Sequence, residues 1–222
     1  MTDFLNNLKG IILSPGQTLG RIMDQKQWIA TMAFILCMVF VFTYISAPRL
    51  IDKTASTNEW IQEHFEQVGT ISGFRLVMTS FWAVILTMII MAIAAFFIYL
   101  FYGIARAEGT YSNYFSLVVN ASLIGTVIPM LVGIISLFSG LPLLRLLNPT
   151  TLLSVTPNTL AFFIISKFDI FYLWYLVALA AGVSVFSKMR FKKTLLVILL
   201  YFLFISTVKI SFSYLALKIM QT

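Results

Sequence analysis

The most densely charged stretch of this sequence is a short segment between two long apolar runs. It carries four basic side chains within six positions: Lys188, Arg190, Lys192 and Lys193. Clustered cations beside an apolar run attract anionic lipid headgroups, and they also hold their loop on the cytoplasmic side of a membrane. This segment, the basic hinge, therefore predicts the orientation of the chain. Together with Arg106, it is also the predicted contact with anionic lipid or with a protein partner at the cytoplasmic face.

Two further charges lie at or inside apolar runs. Asp169 precedes one run and Lys209 interrupts the last one, 16 positions beyond Lys193. At 1.5 Å per residue, this separation places Lys209 about 24 Å along a helix, at a depth close to that of Asp169. Two interpretations have equal weight. Lys209 extends its amine to the membrane boundary on its own, or it forms an intramembrane ion pair with Asp169.

The sequence has no pattern typical of catalysis, of cofactor binding or of metal binding. It lacks the paired histidines of zinc proteases, paired aspartates within apolar runs and a glycine-rich phosphate loop. The one histidine, His64, lies in a polar segment beside acidic residues, where a solvated role is expected. The one cysteine, Cys37, lies in an apolar run and is expected to pack as a small apolar side chain. We therefore predict a non-enzymatic protein without a cofactor or a metal.

The composition predicts a membrane protein. The 222 residues are 60% hydrophobic and 10% charged, so the chain has too few polar residues to cover a water-soluble domain of this size. The net charge of +7 does not indicate nucleic-acid binding, because the basic residues are scattered between apolar runs and form no stripe with interleaved aromatic residues. The expected partners are membrane lipids, with anionic headgroups as the counter-charge.

Five segments are long and apolar enough to cross a bilayer, for which a helix needs about 20 residues. They cover about 28–47, 77–102, 115–138, 170–187 and 194–217. Residues 146–166 are also uncharged, but their prolines and polar side chains leave too short an apolar run. The predicted fold is all-α: a polytopic membrane protein with a bundle of five transmembrane helices, forming a single membrane domain over residues 28–219.

The distribution of charge predicts which ends of these spans face the cytoplasm. With the N-terminus inside, the inner segments hold eight basic residues, whereas the longer outer segments hold six and carry most of the acidic residues. Lysine and arginine accumulate in cytoplasmic loops. The count predicts a cytoplasmic N-terminus and a C-terminus outside, as an odd number of spans requires.

Residues 1–27 are predicted to form a cytoplasmic N-terminal segment with a surface helix. Ser14 followed by Pro15 is typical of an N-cap and a first helical position. Leu19, Ile22 and Met23 then recur on one side of the helix. Such a helix can anchor the chain at the membrane interface or offer a docking surface to a cytoplasmic partner, and the anchoring role is favoured.

The third span carries small and helix-breaking residues at intervals of four: Gly125, Pro129 and Gly133. Proline removes a backbone hydrogen bond and glycine admits a neighbouring helix closely, so a kinked and tightly packed helix is predicted. Gly182 on the fourth span is expected to serve the same packing. Broken helices also build transporter sites, but only one span shows the pattern here, so the packing role is favoured.

Three sequence features together resemble a known family. They are the run Ile-Leu-Ser-Pro-Gly-Gln-Thr-Leu at 12–19, the segment from Gly103 to Tyr111 ahead of a proline-containing span, and the Asp-x-Phe-x-x-Trp stretch from Asp169 to Trp174 with Gly182 and the basic hinge after it. Their order is similar to that in the Ypt-interacting protein (Yip) family, and the similarity covers about residues 5–215.

The resemblance implies a five-span helical protein with a cytoplasmic N-terminus. Eukaryotic members of the family are membrane partners of Rab-type GTPases in traffic between endoplasmic reticulum and Golgi, and they carry a longer cytosolic segment than this chain has. The compact form is more similar to the bacterial branch. The resemblance therefore favours the bacterial inner (cytoplasmic) membrane over a eukaryotic endomembrane.

Two functional hypotheses follow. The first is a scaffold or adaptor in membrane organisation or trafficking, acting through its cytoplasmic surface and open to self-association. The alternative is a transporter or channel for a small solute or lipid, with a polar path near Asp169 and Lys209. A continuous polar cavity among the third, fourth and fifth spans that reaches Lys209 would favour transport, whereas a solid apolar bundle would favour the scaffold.

Overall fold

A computed structural model of the chain describes residues 2–24, 28–55, 73–141, 148–156 and 159–220. Every regular element in these ranges is helical. The helices are α1 (Thr2–Leu13), α2 (Pro15–Asp24), α3 (Trp28–Ala55), α4 (Gly73–Ile104), α5 (Tyr111–Ser122), α6 (Ile128–Ser139), α7 (Pro149–Leu152), α8 (Leu160–Ile165), α9 (Ile170–Phe186) and α10 (Phe191–Met220). A π-helical segment, Leu123–Val127, joins α5 to α6.

Within the described residues, four helical segments are long and apolar enough to cross a membrane: Trp28–Pro48, Gly73–Ile104, Tyr111–Ser139 and Phe191–Leu215. The fifth predicted span corresponds to α9, an apolar helix of 17 residues. At 1.5 Å per residue it is about 25 Å long, at the lower end of what crosses a hydrocarbon core. The chain is a multi-pass helical membrane protein, while the count of five spans and the orientation of the termini stay predictions.

The distribution of apolar residues fits lipid as the surrounding solvent. Among the four long spans, α4 is the most hydropathic and also the least buried. Its large side chains point outward, with Trp82 66% exposed and Phe81 53% exposed. A water-soluble protein would bury such a helix. The outward aromatic and aliphatic surface of α4 is therefore suited to contact with lipid chains.

Helix α5 lies at the centre of the bundle. Eight of its twelve residues are buried, and it contacts α2, α3, α4 and α9. The fully buried Asn120 is satisfied on both sides, since its amide donates to the Ser116 carbonyl at 2.9 Å and its carbonyl accepts from the Thr31 hydroxyl at 2.8 Å. A polar group away from water needs such partners. This pair therefore connects α3 to the central helix.

One end of the bundle is closed by stacked aromatic rings. The rings of Tyr102 on α4 and Phe186 on α9 lie 5.8 and 5.1 Å from that of Tyr114 on α5. The Tyr102 hydroxyl donates to the carbonyl of Thr194 in the first turn of α10 at 2.7 Å. These contacts join α4, α5, α9 and α10 at the end where the basic hinge lies.

The N-terminal segment is more helical and more tightly packed than predicted. The helix beginning at Ser14–Pro15 is confirmed as α2, but α1 before it was not predicted. Leu19, expected on the lipid-facing side, is fully buried, and α2 packs against α9. A Cβ added to Gly20 would lie 2.8 Å from the Val185 side chain, so the two backbones approach closely. At Leu19, the apolar side of α2 therefore packs against other helices of the protein and not against lipid.

The position of Cys37 contradicts a second expectation, that this residue packs as a small apolar side chain. Ile35 and Val39 on α3 are buried, whereas Cys37 between them is exposed. Residues two positions apart on a helix lie on nearly opposite faces, so an inward Ile35 turns Cys37 outward. The thiol therefore faces away from the bundle and does not pack in its interior.

We expect Gly182→Ala to lower the free energy of unfolding by about 1–3 kcal/mol, the usual cost of overpacking a core. A Cβ at this position would collide with the buried Leu117 side chain and lie 3.3 Å from that of Leu19. Thermal unfolding in detergent measures the effect. Gly103→Ala is the matched control, because its Cβ would meet nothing within 4 Å. Equal melting temperatures for the two variants would contradict this packing.

Candidate functional site

The predicted basic residues gather at one end of the bundle. Lys188, Arg190, Lys192 and Lys193 are all exposed where α9 gives way to α10, and Arg106 is exposed in the loop after α4. The Lys193 Nζ donates to the carbonyl of Ala105 at 3.2 Å, which joins the hinge to that loop. We call the surface formed by Arg106, Lys188, Arg190, Lys192 and Lys193 the basic end.

Two residues of the basic end adopt left-handed backbone conformations. Arg106 has φ 58° and Lys188 has φ 55°. At Arg106 the chain forms a Schellman turn, in which the Ala107 N–H donates to the Tyr102 carbonyl at 2.9 Å and the Arg106 N–H to the Gly103 carbonyl at 3.0 Å. Glycine usually occupies this position, because a left-handed conformation costs other residues about 1–2 kcal/mol. Each cation lies where the negative end of a helix dipole favours it.

A further cation lies on the N-terminal segment beside the basic end. Arg21 on α2 is exposed. Helix α2 is held beside the hinge half of α9, since Gly20 approaches Val185. The sequence predicted the basic hinge and the surface helix separately, and the structure places them next to each other.

A second candidate site is a cavity of about 270 Å³ within the bundle. It lies among α4, α5, the π-helical segment, α9 and α10, and Met91 and Ala94 are among its apolar walls. Its polar lining consists of six side chains with a hydroxyl group and one lysine. These residues are Thr87, Ser122, Thr126, Tyr172, Tyr175, Tyr201 and Lys209.

The π-helical segment shapes one wall of this cavity. Gly125 lies in the segment, and a Cβ there would be 3.2 Å from the Cβ and Cγ of Tyr175. The missing side chain therefore makes room for Tyr175 against the central helix. Pro129 follows in the first turn of α6, and Gly133 is buried. The sequence predicted a proline kink here, whereas the irregularity found is a wider turn before the proline, a feature often found at functional sites.

Asp169 has a structural partner of its own. Its Oδ1 accepts from the backbone N–H groups of Phe171 at 2.9 Å and Tyr172 at 3.0 Å, so it forms the N-cap of α9. No ion pair of Asp169 with Lys209 is found in the part of the chain that the structure describes. Lys209 instead lies near Lys167, whose pKa is lowered by burial first and by the charge of Lys209 second. The Asp169–Lys209 pair therefore stays a prediction.

Sequence reasoning missed most of the cavity. The tyrosines Tyr172, Tyr175 and Tyr201 come from two separate apolar runs, and nothing in their spacing indicates that their faces meet. Lys209 was the one detectable signal, since a charge inside an apolar run marks a functional position by default. His64 lies outside the described residues.

The family follows from comparison with known proteins. The family model described as the Yip1 domain matches residues 9–212. The chain belongs to the Yip1 domain family. This match confirms the resemblance seen in the sequence, and the Yip1 family is a membrane-trafficking family that is not known for enzymatic activity. Comparison with curated proteins and with solved structures gave no significant match.

We expect Asp169→Ala to lower the free energy of unfolding of this Yip1-domain protein by about 1 kcal/mol through loss of the helix cap. Asp169→Asn keeps an oxygen that caps equally well and should be nearly neutral. Thermal unfolding of both variants, alone and with Lys209→Ala, separates the cap from the ion pair. The ion pair would be the correct interpretation under two conditions. Asp169→Asn would have to lower the melting temperature as much as Asp169→Ala does, and neither change would lower it further in the Lys209→Ala background.

Proposed function

We propose that this Yip1-domain protein is a non-enzymatic membrane scaffold that gathers anionic lipid headgroups at its basic end. The observation that carries the proposal is the exposure of all five cations, Arg106, Lys188, Arg190, Lys192 and Lys193, at one end of a lipid-facing bundle. Each basic residue near an anionic membrane surface contributes about 1 kcal/mol of attraction. Five such charges in one patch would concentrate anionic lipid around the protein.

The proposal includes a topology. In it, α9 crosses the membrane as the fifth span, the basic end faces the cytoplasm, and the C-terminus lies outside. The length of α9, 17 residues, supports a crossing in a thin or locally thinned bilayer. The excess of basic residues on the inner segments supports the orientation. We further propose a bacterial inner membrane as the location, which the resemblance in the sequence favours.

The backbone at the basic end supports a role for its charges. Arg106 and Lys188 occupy left-handed positions that glycine would adopt with less strain. Retaining a cation there lowers stability, and strain of this kind tends to collect at functional positions.

The transporter remains the second candidate, because Lys209 and several hydroxyl groups line a cavity in the bundle. Among the residues that the structure describes, none from the basic end lines the cavity. Between the two lies a layer of four side chains, each at most 1% exposed and each from a different helix: Ile98, Leu117, Leu179 and Ile198. The stacked rings of Tyr102 and Tyr114 follow beyond it. Because the half of the bundle next to the basic end is filled by side chains, the structure favours the scaffold over a transport path through the bundle.

Replacing the four hinge residues with glutamine tests the scaffold. We expect the preference for spin-labelled phosphatidylglycerol over phosphatidylcholine, measured by electron paramagnetic resonance in mixed nanodiscs, to fall several-fold. Raising the salt concentration should reduce the wild-type preference in the same direction, because exposed charges are screened. Lys218→Gln, far from the hinge, controls for general loss of charge. An unchanged preference would leave the hinge with a topological role only, or with a protein partner.

Arg106→Gly with Lys188→Gly separates charge from structure at the same end. We expect the double variant to unfold at the same temperature as the wild type or a few degrees higher, because glycine relieves the left-handed strain. Its preference for anionic lipid should nevertheless decrease. A loss of stability together with unchanged lipid preference would contradict the functional interpretation of the strain.

A further inference from the structure

The charged residues around the cavity beside Lys209 favour the binding of an anion. Lys209 is its one charged lining residue in the described part of the chain. From residue 109 to the C-terminus the sequence contains a single acidic residue, Asp169, whose carboxylate caps α9. Lys167 adds a second cation nearby. An acidic ligand would thus meet attraction without a competing carboxylate from these helices.

The same cavity contains hydrogen-bonding groups with no protein partner. The hydroxyls of Thr126, Tyr172 and Tyr201 have no hydrogen bond among the described residues, and their oxygens are not sealed off by protein, so they are open to the cavity. By contrast, the hydroxyls of Thr87 and Ser122 donate to carbonyls four residues earlier, at 2.8 and 2.7 Å. Inside a membrane such polar groups still need a partner. Three hydroxyls facing one cavity therefore indicate a polar guest.

The cavity opens sideways toward lipid. On the side of the basic end, rings of α4 and α10 close the gap, with Phe97 and Phe101 lying 6.0 and 5.7 Å from Phe204. Farther from the basic end, the lining residues Ile90 and Lys209 are exposed, Ile90 to 55%. The opening between α4 and α10 thus faces the surrounding membrane.

We propose that this cavity binds the acidic group of a membrane lipid, a phosphate or carboxylate, which enters laterally between α4 and α10. The acid contacts Lys209 and the hydroxyls of Tyr172 and Tyr201, while its chain lies along Ile90 and the outer surface of α4. A volume of about 270 Å³ is below the roughly 300–1,000 Å³ of pockets that enclose a whole ligand. The cavity therefore holds the headgroup and the first part of a chain, and the remainder stays in the bilayer.

Thermal unfolding of the full chain in a non-ionic detergent tests the proposal. Titration with lysophosphatidic acid or palmitate should raise the melting temperature saturably, because a ligand that binds only the folded state stabilises it. Lysophosphatidylcholine, which has a similar chain and no net charge, should raise it much less. Inorganic phosphate alone should have no effect, and stabilisation by phosphate as strong as that by the lipids would overturn the lipid assignment.

Variants locate the site. We expect Lys209→Gln to weaken lysophosphatidic acid binding about tenfold, Tyr201→Phe to weaken it several-fold, and Lys209→Arg to restore most of the affinity. Lys218→Gln on the same helix is the matched charge control and should bind as the wild type does. Wild-type affinity in Lys209→Gln would overturn the proposal.

A cavity-filling variant separates the interior from surface charge. Ala94→Phe keeps Lys209 but occupies the cavity, so it should abolish lipid stabilisation, whereas Ala92→Phe on the same helix does not line the cavity and should retain it. The variant with four hinge glutamines should also retain full affinity, which distinguishes this site from the basic end. Binding by Ala94→Phe equal to that of Ala92→Phe would contradict an interior site.

Discussion

The whole structure depends on the absence of water around its helices. Within hydrocarbon, each backbone group must be paired inside its own helix, and each polar side chain must find a protein partner or leave the membrane. Asn120 is therefore held by Thr31 and Ser116, and several serine and threonine hydroxyls donate to the preceding turn. Large apolar side chains are free to face the lipid. This explains why α4, the most hydropathic of the four long spans, is the least buried.

The same constraint divides the molecule into two chemically different regions. At the basic end, cations are exposed, and the loops that carry them are fixed by the Tyr102–Thr194 and Lys193–Ala105 hydrogen bonds. Farther along the bundle, unpaired hydroxyls and Lys209 surround a small space that opens toward lipid. The layer of buried aliphatic side chains around Leu117 and Leu179 separates the two regions. In our two proposals, each region binds acidic groups independently of the other.

Much of this architecture could be predicted from the sequence, because long uncharged runs and a dense basic hinge report directly on a lipid environment. Asp169 also marked the start of α9 correctly. Side-chain contacts between distant runs were beyond such reasoning. The docking of Leu19 beside Gly182, the π-helical segment at Gly125 and the meeting of Tyr172 with Tyr201 depend on which helix faces pack together. The periodicity of a sequence indicates that a helix has a buried face, but it does not indicate which other helix packs against that face.

The central claim is that the basic end and the segment before α9 lie on opposite sides of the membrane, so that this 17-residue helix crosses it. A membrane-impermeant maleimide tests it directly in intact cells, in a Cys37→Ser background that carries either Thr156→Cys or Phe191→Cys. Both positions are exposed and flank α9. The account predicts that Thr156→Cys reacts from outside, whereas Phe191→Cys reacts only after the membrane is permeabilised. Labelling of both from the same side would contradict it.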